Sequence, residues 1–412
     1  MSMEHYIADR SKKPLSKNDI IAINNMAKAD KAKGNKVING SIGSFLDDEK
    51  KLGAVEIINE ALREHITDRL GYPSVYGDEE YLDQVSKWIF GHKKERIDSL
   101  YHLFTGATIG GTGAISVAFN LFLEPQEAVL LPDVMWTNYK LIAKKANDDV
   151  VLYNMFNKED KFDIESVREC IEKQFEKKER VLLVINDPCQ NPTGYCLDEK
   201  EYDALFDMLN EEGKKGKLTV LFDIAYLSFY AVDGHSCVLV DKLCEKKTSF
   251  LPLIAFSCSK VFGLYGMRVG ALLALALDED EYNEIHSAFG AQARGVYSVS
   301  VGAAEYAVST VLENRDLRHR LLDEINTNRV ILKERGETIV KELEKAGIKH
   351  YPYGSGFFIT IKVDDAFSVF EKLKAEHIYV VPMNEKSIRI ALSGMTKDEA
   401  CVLVRELEKA IR

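Results

Sequence analysis

Five short runs of almost unbroken apolar residues, at 128–132, 181–185, 219–222, 253–256 and 271–277, leave this chain few architectures to choose from. Side chains on a strand alternate between two faces, so a strand that is apolar throughout must be covered on both. That requires a largely parallel sheet sandwiched between helices. Longer amphipathic stretches separate the runs; 199–212, which follows a glycine at 194, has the spacing of a surface helix. The middle of the chain is therefore expected to be an α/β domain with a mostly parallel sheet flanked by helices.

The C-terminal part has a different pattern. Residues 303–346 contain no proline and a single internal glycine, Gly336, and read as one long helix or two consecutive ones. After Gly347 come a strand pattern at 356–363, a helix at 366–376, a strand at 388–392 and a helix at 396–411, which predict a smaller α+β unit. A chain of 412 residues exceeds what one hydrophobic core usually spans. We expect a large domain of residues 48–320 and a small domain made from 1–47 together with 321–412.

The charge balance narrows the partners. A formal net charge of -11 argues against nucleic acid, although a local pocket can still be basic. The first 18 residues are polar and lack a signal-peptide core, and no apolar stretch approaches the roughly 20 residues needed to span a bilayer. The chain reads as cytoplasmic, with no membrane partner. Seven scattered cysteines do not make a disulfide framework, and Cys189 and Cys196, seven positions apart, match no common zinc spacing. The nine histidines are dispersed, so no metal is expected.

Four segments carry candidate chemistry. Asn186-Asp187-Pro188-Cys189-Gln190-Asn191-Pro192-Thr193-Gly194 follows a predicted strand. Its prolines and glycine make it a loop at the strand's C-terminal end, where open α/β sheets bind ligands. In isolation it is equally a plain turn. Asp223 ends the run 219–222, and a carboxylate there needs a cationic partner or serves as a helix N-cap. Tyr226 lies three residues on. In Ser257-Cys258-Ser259-Lys260-Val261-Phe262-Gly263-Leu264-Tyr265-Gly266-Met267-Arg268-Val269-Gly270, a lysine sits in apolar surroundings that lower its pKa and suit it to Schiff-base chemistry. Ser257, Ser259 and Arg268 are placed to hold a phosphate. Thr105-Gly106-Ala107-Thr108-Ile109-Gly110-Gly111-Thr112-Gly113-Ala114 opens a helix running to about Leu123, and a glycine-rich helix start can cradle an anion. It has neither the Walker A nor the dinucleotide-binding spacing. Arg389 alternates with Ile388 and Ile390, so it faces away from them, toward a pocket or toward solvent.

Together and in this order, these segments resemble the fold type I, class I aminotransferases that use pyridoxal 5′-phosphate (PLP), and among them the aspartate/aromatic aminotransferase group. The resemblance runs from about Gly40 to the C-terminus. It implies that Lys260 forms the internal aldimine with PLP and shuttles the substrate proton. Asp223 would pair with the pyridine nitrogen, and Tyr226 and Asn191 with the phenolic oxygen. Trp136 would stack on the ring. Gly110, Gly111, Thr112, Ser257 and Arg268 would hold the phosphate, reached also by Tyr72 of a neighbouring subunit. Arg389 and Asn191 would bind the substrate α-carboxylate, and Gly43 would line the entrance. Arg294, supplied by the partner of a homodimer, would clamp a distal carboxylate, which implies an aspartate- or glutamate-like substrate; aromatic enzymes of the group carry it too.

The implied reaction is ping-pong transamination between an amino acid and a 2-oxo acid such as 2-oxoglutarate. The sequence departs from the group at two places near the substrate or the ring. Val299-Ser300 replaces the group's Asn-Pro-Pro, and Tyr139 stands where histidine is usual. A lyase or decarboxylase on the same fold is a rival reading, as is a non-enzymatic PLP-binding sensor. The sensor would need its own DNA-binding module, for which the forty or so residues before Gly40 leave little room.

Overall fold

Alternate residues of the central strands go to opposite sides of one sheet, as the apolar runs require. Leu182, Val184, Leu221, Leu253 and Ala255 pack into one buried cluster; Leu183, Ile185, Val220, Ile254 and Phe256 pack into another. The sheet lies between them in a computed structural model that describes residues 20–53, 55–231 and 236–412. Its seven strands are, in chain order, β1 (His102–Ile109), β2 (Ala128–Pro132), β3 (Asp149–Tyr153), β4 (Arg180–Asn186), β5 (Lys217–Asp223), β6 (Leu251–Ser257) and β7 (Val269–Ala276). They lie in the order β1-β7-β6-β5-β4-β2-β3. The neighbours from β6 across to β3 pair in parallel, and β7 alone runs antiparallel to both of its neighbours.

One face of the sheet is covered by helices Gly110–Phe122, Asn138–Ala146 and Glu279–Val296, the other by helices that include Glu79–Phe90, Ile164–Phe175 and Glu199–Glu212. The last of these starts on a capping box in which Asp198 and Glu201 satisfy each other's backbone N–H groups. The expected mixed α/β fold with a mostly parallel sheet is the fold observed.

In this sheet the strands missed from sequence are the two edges; the short strands Ile38–Asn39, Ile378–Tyr379 and Val381–Asn384 outside it were missed as well. β3 is half exposed and opens with Asp149, and β1 contains a glycine and a histidine, so neither reads as an apolar run. The glycine-rich segment also divides differently from the expectation: Thr105–Ile109 finishes β1, and the helix begins only at Gly110.

A third apolar cluster gathers around a three-stranded antiparallel sheet of Val381–Asn384, Ser387–Ala391 and Phe358–Lys362. Helices Ala366–Ala375 and Lys397–Ile411 pack on it, as do Ile23 and Ala27 of helix Ile20–Ala32. The long pattern at 303–346 is two helices, Gly302–Glu313 and Arg315–Lys345. The break is at Asn314, whose side chain accepts from the N–H groups of Asp316 and Leu317 at 3.0 and 3.1 Å. Helix Arg315–Lys345 contributes to both cores: Leu321 and Ile325 to the large one, Leu332, Ile339 and Leu343 to the small one. Residues 1–19, part of the expected small domain, lie outside the described residues. No described helix is long and apolar enough to cross a membrane.

Candidate active site

The C-terminal ends of β4, β5 and β6 deliver Asn186, Asp223 and Ser257 to one end of the sheet. There they line a cavity of about 280 Å3 with Gly43, Gly111, Thr112, Trp136, Tyr139, Asn191, Tyr226, Lys260, Arg268 and Arg389. These contributions come from segments up to about 350 residues apart in sequence, so only the folded chain assembles the cavity.

Lys260 follows β6 on a one-turn helix, and its amine lies 4.8 Å from the Tyr265 ring, 5.3 Å from Phe357 and 5.8 Å from Tyr226. It donates a short hydrogen bond to the carbonyl of Gly43. Burial, reinforced by the positive charges of Arg389 and Arg268, lowers its pKa to about 7. Near neutral pH a large fraction of this lysine is therefore the free amine, the form that attacks an aldehyde.

The anion cradle is backbone-built. Gly110 has φ of 67°, and a Cβ there would sit 2.5 Å from an Arg268 nitrogen; a Cβ on Gly111 would sit 3.1 Å from that of Ser257. The start of helix Gly110–Phe122, the Ser257 hydroxyl and the Arg268 guanidinium thus converge on one spot. Arg268 is steadied there by donating to the Ser259 hydroxyl at 3.2 Å and the Tyr265 carbonyl at 2.9 Å.

Asp223 is the negative pole. Burial pushes its carboxyl above the ordinary value; the hydrogen bonds it accepts from Tyr139 and from the Ala225 N–H pull it back down. The Tyr139 hydroxyl donates to Asp223 Oδ2 at 2.5 Å, and the Ala225 N–H to Oδ1 at 3.1 Å. Asn186 donates to the Asp223 carbonyl at 2.9 Å and accepts from the Asn191 N–H at 2.8 Å, tying β5 to the loop after β4.

Arg389 is 2 % exposed, on the face of its strand opposite Ile388 and Ile390. It donates to the Ser41 carbonyl at 2.6 Å and to the Asn191 side-chain oxygen at 3.5 Å, and stacks 4.5 Å over Phe358. Both hydrogen-bond partners are neutral, and its buried Nε has no partner. Burial lowers its pKa to about 10, so it remains charged at neutral pH. A buried guanidinium held only by neutral groups, with one N–H left over, is matched to a carboxylate.

This chemistry fits PLP. The amine can hold the aldehyde, the cradle the phosphate, Asp223 a protonated ring nitrogen, Trp136 a ring face, and Tyr226 with Asn191 a phenolic oxygen. Gly110 stands just outside the cavity lining, behind Arg268.

Two expected site residues are elsewhere within one chain: Tyr72 is 93 % exposed, and Arg294 is on the exposed surface of helix Glu279–Val296. Sequence reasoning left Asn186, Tyr265 and Phe358 without a role. Asn186 could have been found, since it directly follows an apolar strand beside the proline-rich loop. Tyr139 stood out only as a departure from the group; its contact with Asp223 spans 84 residues and needed the fold. Among the described residues no group of three or more His, Cys, Asp or Glu side chains is placed to hold a metal ion.

The family model "Aminotransferase class I and II" matches residues 35–407 of this chain. An aspartate aminotransferase of Pseudomonas aeruginosa is 25% identical over 339 residues, covering 81% of this chain and 82% of its own length. A crystal structure of an aminotransferase from Anaerococcus prevotii superposes with a TM-score of 0.90 at 27% identity, covering 99% of this chain and 100% of that one. An aromatic-amino-acid aminotransferase from Burkholderia pseudomallei, covalently bound to pyridoxal phosphate, shares the fold with a TM-score of 0.82 at 22% identity, covering 98% and 100%.

Proposed function

Because this chain belongs to the class I and II aminotransferases, we propose that it uses pyridoxal 5′-phosphate, anchored on Lys260, to move an amino group from an L-amino acid to a 2-oxo acid such as 2-oxoglutarate. The donor is of the aspartate/glutamate or the aromatic class. The observation that carries this reading is the meeting, in one cavity, of a depressed-pKa lysine, a buried carboxylate and a buried guanidinium with only neutral partners.

When bound, the cofactor supplies an electron sink for negative charge at the substrate α-carbon. The chain supplies the rest. Arg389 and Asn191 grip the α-carboxylate and fix which bond of the α-carbon faces Lys260. Lys260 Nζ takes the α-proton and redelivers it, a general-base and general-acid role suited to a pKa of about 7. Asp223 keeps a proton on the ring nitrogen. Tyr139 is a positioning residue that holds the Asp223 carboxylate in place. The two half-reactions share one site, so ping-pong kinetics follow.

The test is the visible spectrum of the protein loaded with PLP. Aspartate and glutamate are expected to convert it to the aminated form, and conversion by tyrosine or phenylalanine as well would assign the aromatic class. Failure to retain PLP would overturn the reading. A lyase or decarboxylase would instead release ammonia, sulfide or carbon dioxide with no amino transfer to 2-oxoglutarate.

Tyr72 and Arg294 complete the site only from a second subunit, and the exposed Leu70, Tyr72 and Val296 supply apolar surface for it. The reading therefore includes a homodimer with shared sites. Mixing the inactive variant Lys260→Ala with the weakened Arg294→Ala is expected to give more activity toward a dicarboxylic donor than the two variants show separately, because each hybrid dimer contains one site built wholly from native residues. If the mixture is no more active than its parts, the sites are not shared. The proposed units are 48–320 and 1–47 with 321–412; the apolar clusters support the division for the described residues, although Leu321 and Ile325 pack in the large core.

A further inference from the structure

We propose that Cys189 and Cys196 are a modification site: a dithiol that low-molecular-weight disulfides convert reversibly to an internal disulfide, clamping the loop that carries Asn191. The two residues flank a tight turn closed by the Gln190 N–H donating to the Tyr195 carbonyl at 2.9 Å and the Gly194 N–H to the Gln190 carbonyl at 2.6 Å. This hairpin-like geometry sets their side chains opposite each other, with the sulfurs 4.0 Å apart. A disulfide needs about 2.0 Å, a distance that rotation of the side chains and a small shift of one arm of the turn can close.

The two thiols differ in ways that divide the labour. Cys196 is partly exposed and open to a small disulfide, and the Cys189 backbone N–H donates to its sulfur at 3.3 Å. Cys189 is fully buried, and burial pushes its thiol up. Cys196 is therefore the attacking sulfur and Cys189 the resolving one. The Cys196 thiolate attacks one sulfur of the small disulfide and expels the other half as a thiolate. The Cys189 sulfur, losing its proton, then attacks the Cys196 sulfur of the mixed disulfide and expels the second half. Two cysteine thiols lose two electrons and two protons in total, and the small disulfide leaves as two thiols.

The site touches function through packing. The ring closed by the new bond contains Asn191, the side chain that Arg389 reaches at 3.5 Å, and Pro192, whose carbonyl accepts from Thr360 at 2.7 Å. Cys189 has little freedom: its φ is 60°, and Gly356 packs so closely that a Cβ there would lie 2.5 Å from that of Cys189. Closing the bond must therefore draw in the Gly194–Cys196 arm, which shifts Asn191 relative to Arg389.

The experiment incubates the full-length, PLP-loaded protein with excess oxidised glutathione near neutral pH, followed by peptide mass mapping and kinetics. The peptide carrying both cysteines is expected to lose two hydrogens, to regain them with dithiothreitol, and to show no such loss in Cys196→Ser. KM for the amino donor is expected to rise about fivefold, with the cofactor still bound. Glutathione left stably on Cys196, no reaction, or pairing with another cysteine would overturn the proposal, and an unchanged KM would overturn the link to Asn191. The KM arm rests on the transamination reading, whereas the mass arm holds whatever reaction the protein catalyses, so the two failures are distinguishable.

Discussion

Lys260→Ala is expected to lower kcat/KM by about 10^4-fold or more, the largest loss from any single substitution in this chain, because it removes both the covalent anchor and the group that moves the α-proton. Fold and cavity should survive, since the side chain ends in the cavity, where its amine's hydrogen bond goes to the Gly43 carbonyl. The pH dependence separates this role from a structural one. An ordinary lysine stays protonated up to about pH 10.4. Lys260 is lowered to about 7 by burial and by Arg389 and Arg268, so its reactive neutral form is lost as pH falls through 7 and is fully present above it. The rate at which cofactor-free protein captures PLP should rise with pH and level off just above 7. A rate still climbing toward pH 10 would mean that this amine is not depressed in the folded chain. The same measurement on Lys260→Ala should give no covalent adduct after borohydride reduction at any pH.

Arg389→Leu should produce the second largest effect. Its guanidinium has a fork that can meet a carboxylate, and its two hydrogen bonds go to neutral groups. Loss of one partner of a buried charge-assisted pair costs about 2–5 kcal/mol, which corresponds here to about 30- to 5,000-fold in kcat/KM. Both the amino acid and the 2-oxo acid carry the carboxylate, so both half-reactions should suffer, mainly in KM, while PLP retention should be unaffected. Arg389→Lys should recover little, because an ammonium cannot reproduce the fork. If Arg389→Leu left both KM values within twofold of the parent, the carboxylate would have to be bound elsewhere and the substrate orientation proposed above would fail.

Much of this site was legible in the sequence because each group sits at a local signal. Asp223 and Ser257 end apolar strands, and Lys260 follows one. Asn191 sits between prolines, and Arg389 breaks the alternation of a buried strand. Such positions are marked by contrast with their neighbours. What was not legible depends on residues meeting across the fold. Tyr139 reads as one more aromatic on an amphipathic helix until Asp223 arrives opposite it. Tyr265 gains its role only because the Phe45 N–H donates to it at 2.9 Å from 220 residues away. The fold was legible where burial is two-sided and obscure at the rims. β3 lies on one edge of the sheet, with Asp149 and Leu152 exposed to water. β1 lies on the other and admits Gly106 because Phe289 packs against it. The thiol pair at Cys189 and Cys196 was not legible either, since seven-residue spacing carries no signal until a turn folds it back on itself.

Helix Arg315–Lys345 has a mechanical consequence. At 31 residues it is about 46 Å of continuous rod, and it is embedded by one end in the large core and by the other in the small core. Two bodies joined by a floppy tether drift and melt separately; two bodies that grip the same rod do not. Melting the small core would strip the far end of the helix of its packing and leave it supported by little but its own hydrogen bonds, so the loss would propagate toward Ile325 and Leu321. The same rod limits how the walls of the cavity approach each other. Arg389 and Phe358 on one side, and Asp223 and Lys260 on the other, are tied by this helix and by Tyr226 and Phe229, which pack directly into the small core. Small displacements about such a rod suit the proposed reaction, in which two different substrates in turn present their α-carbon to the same amine.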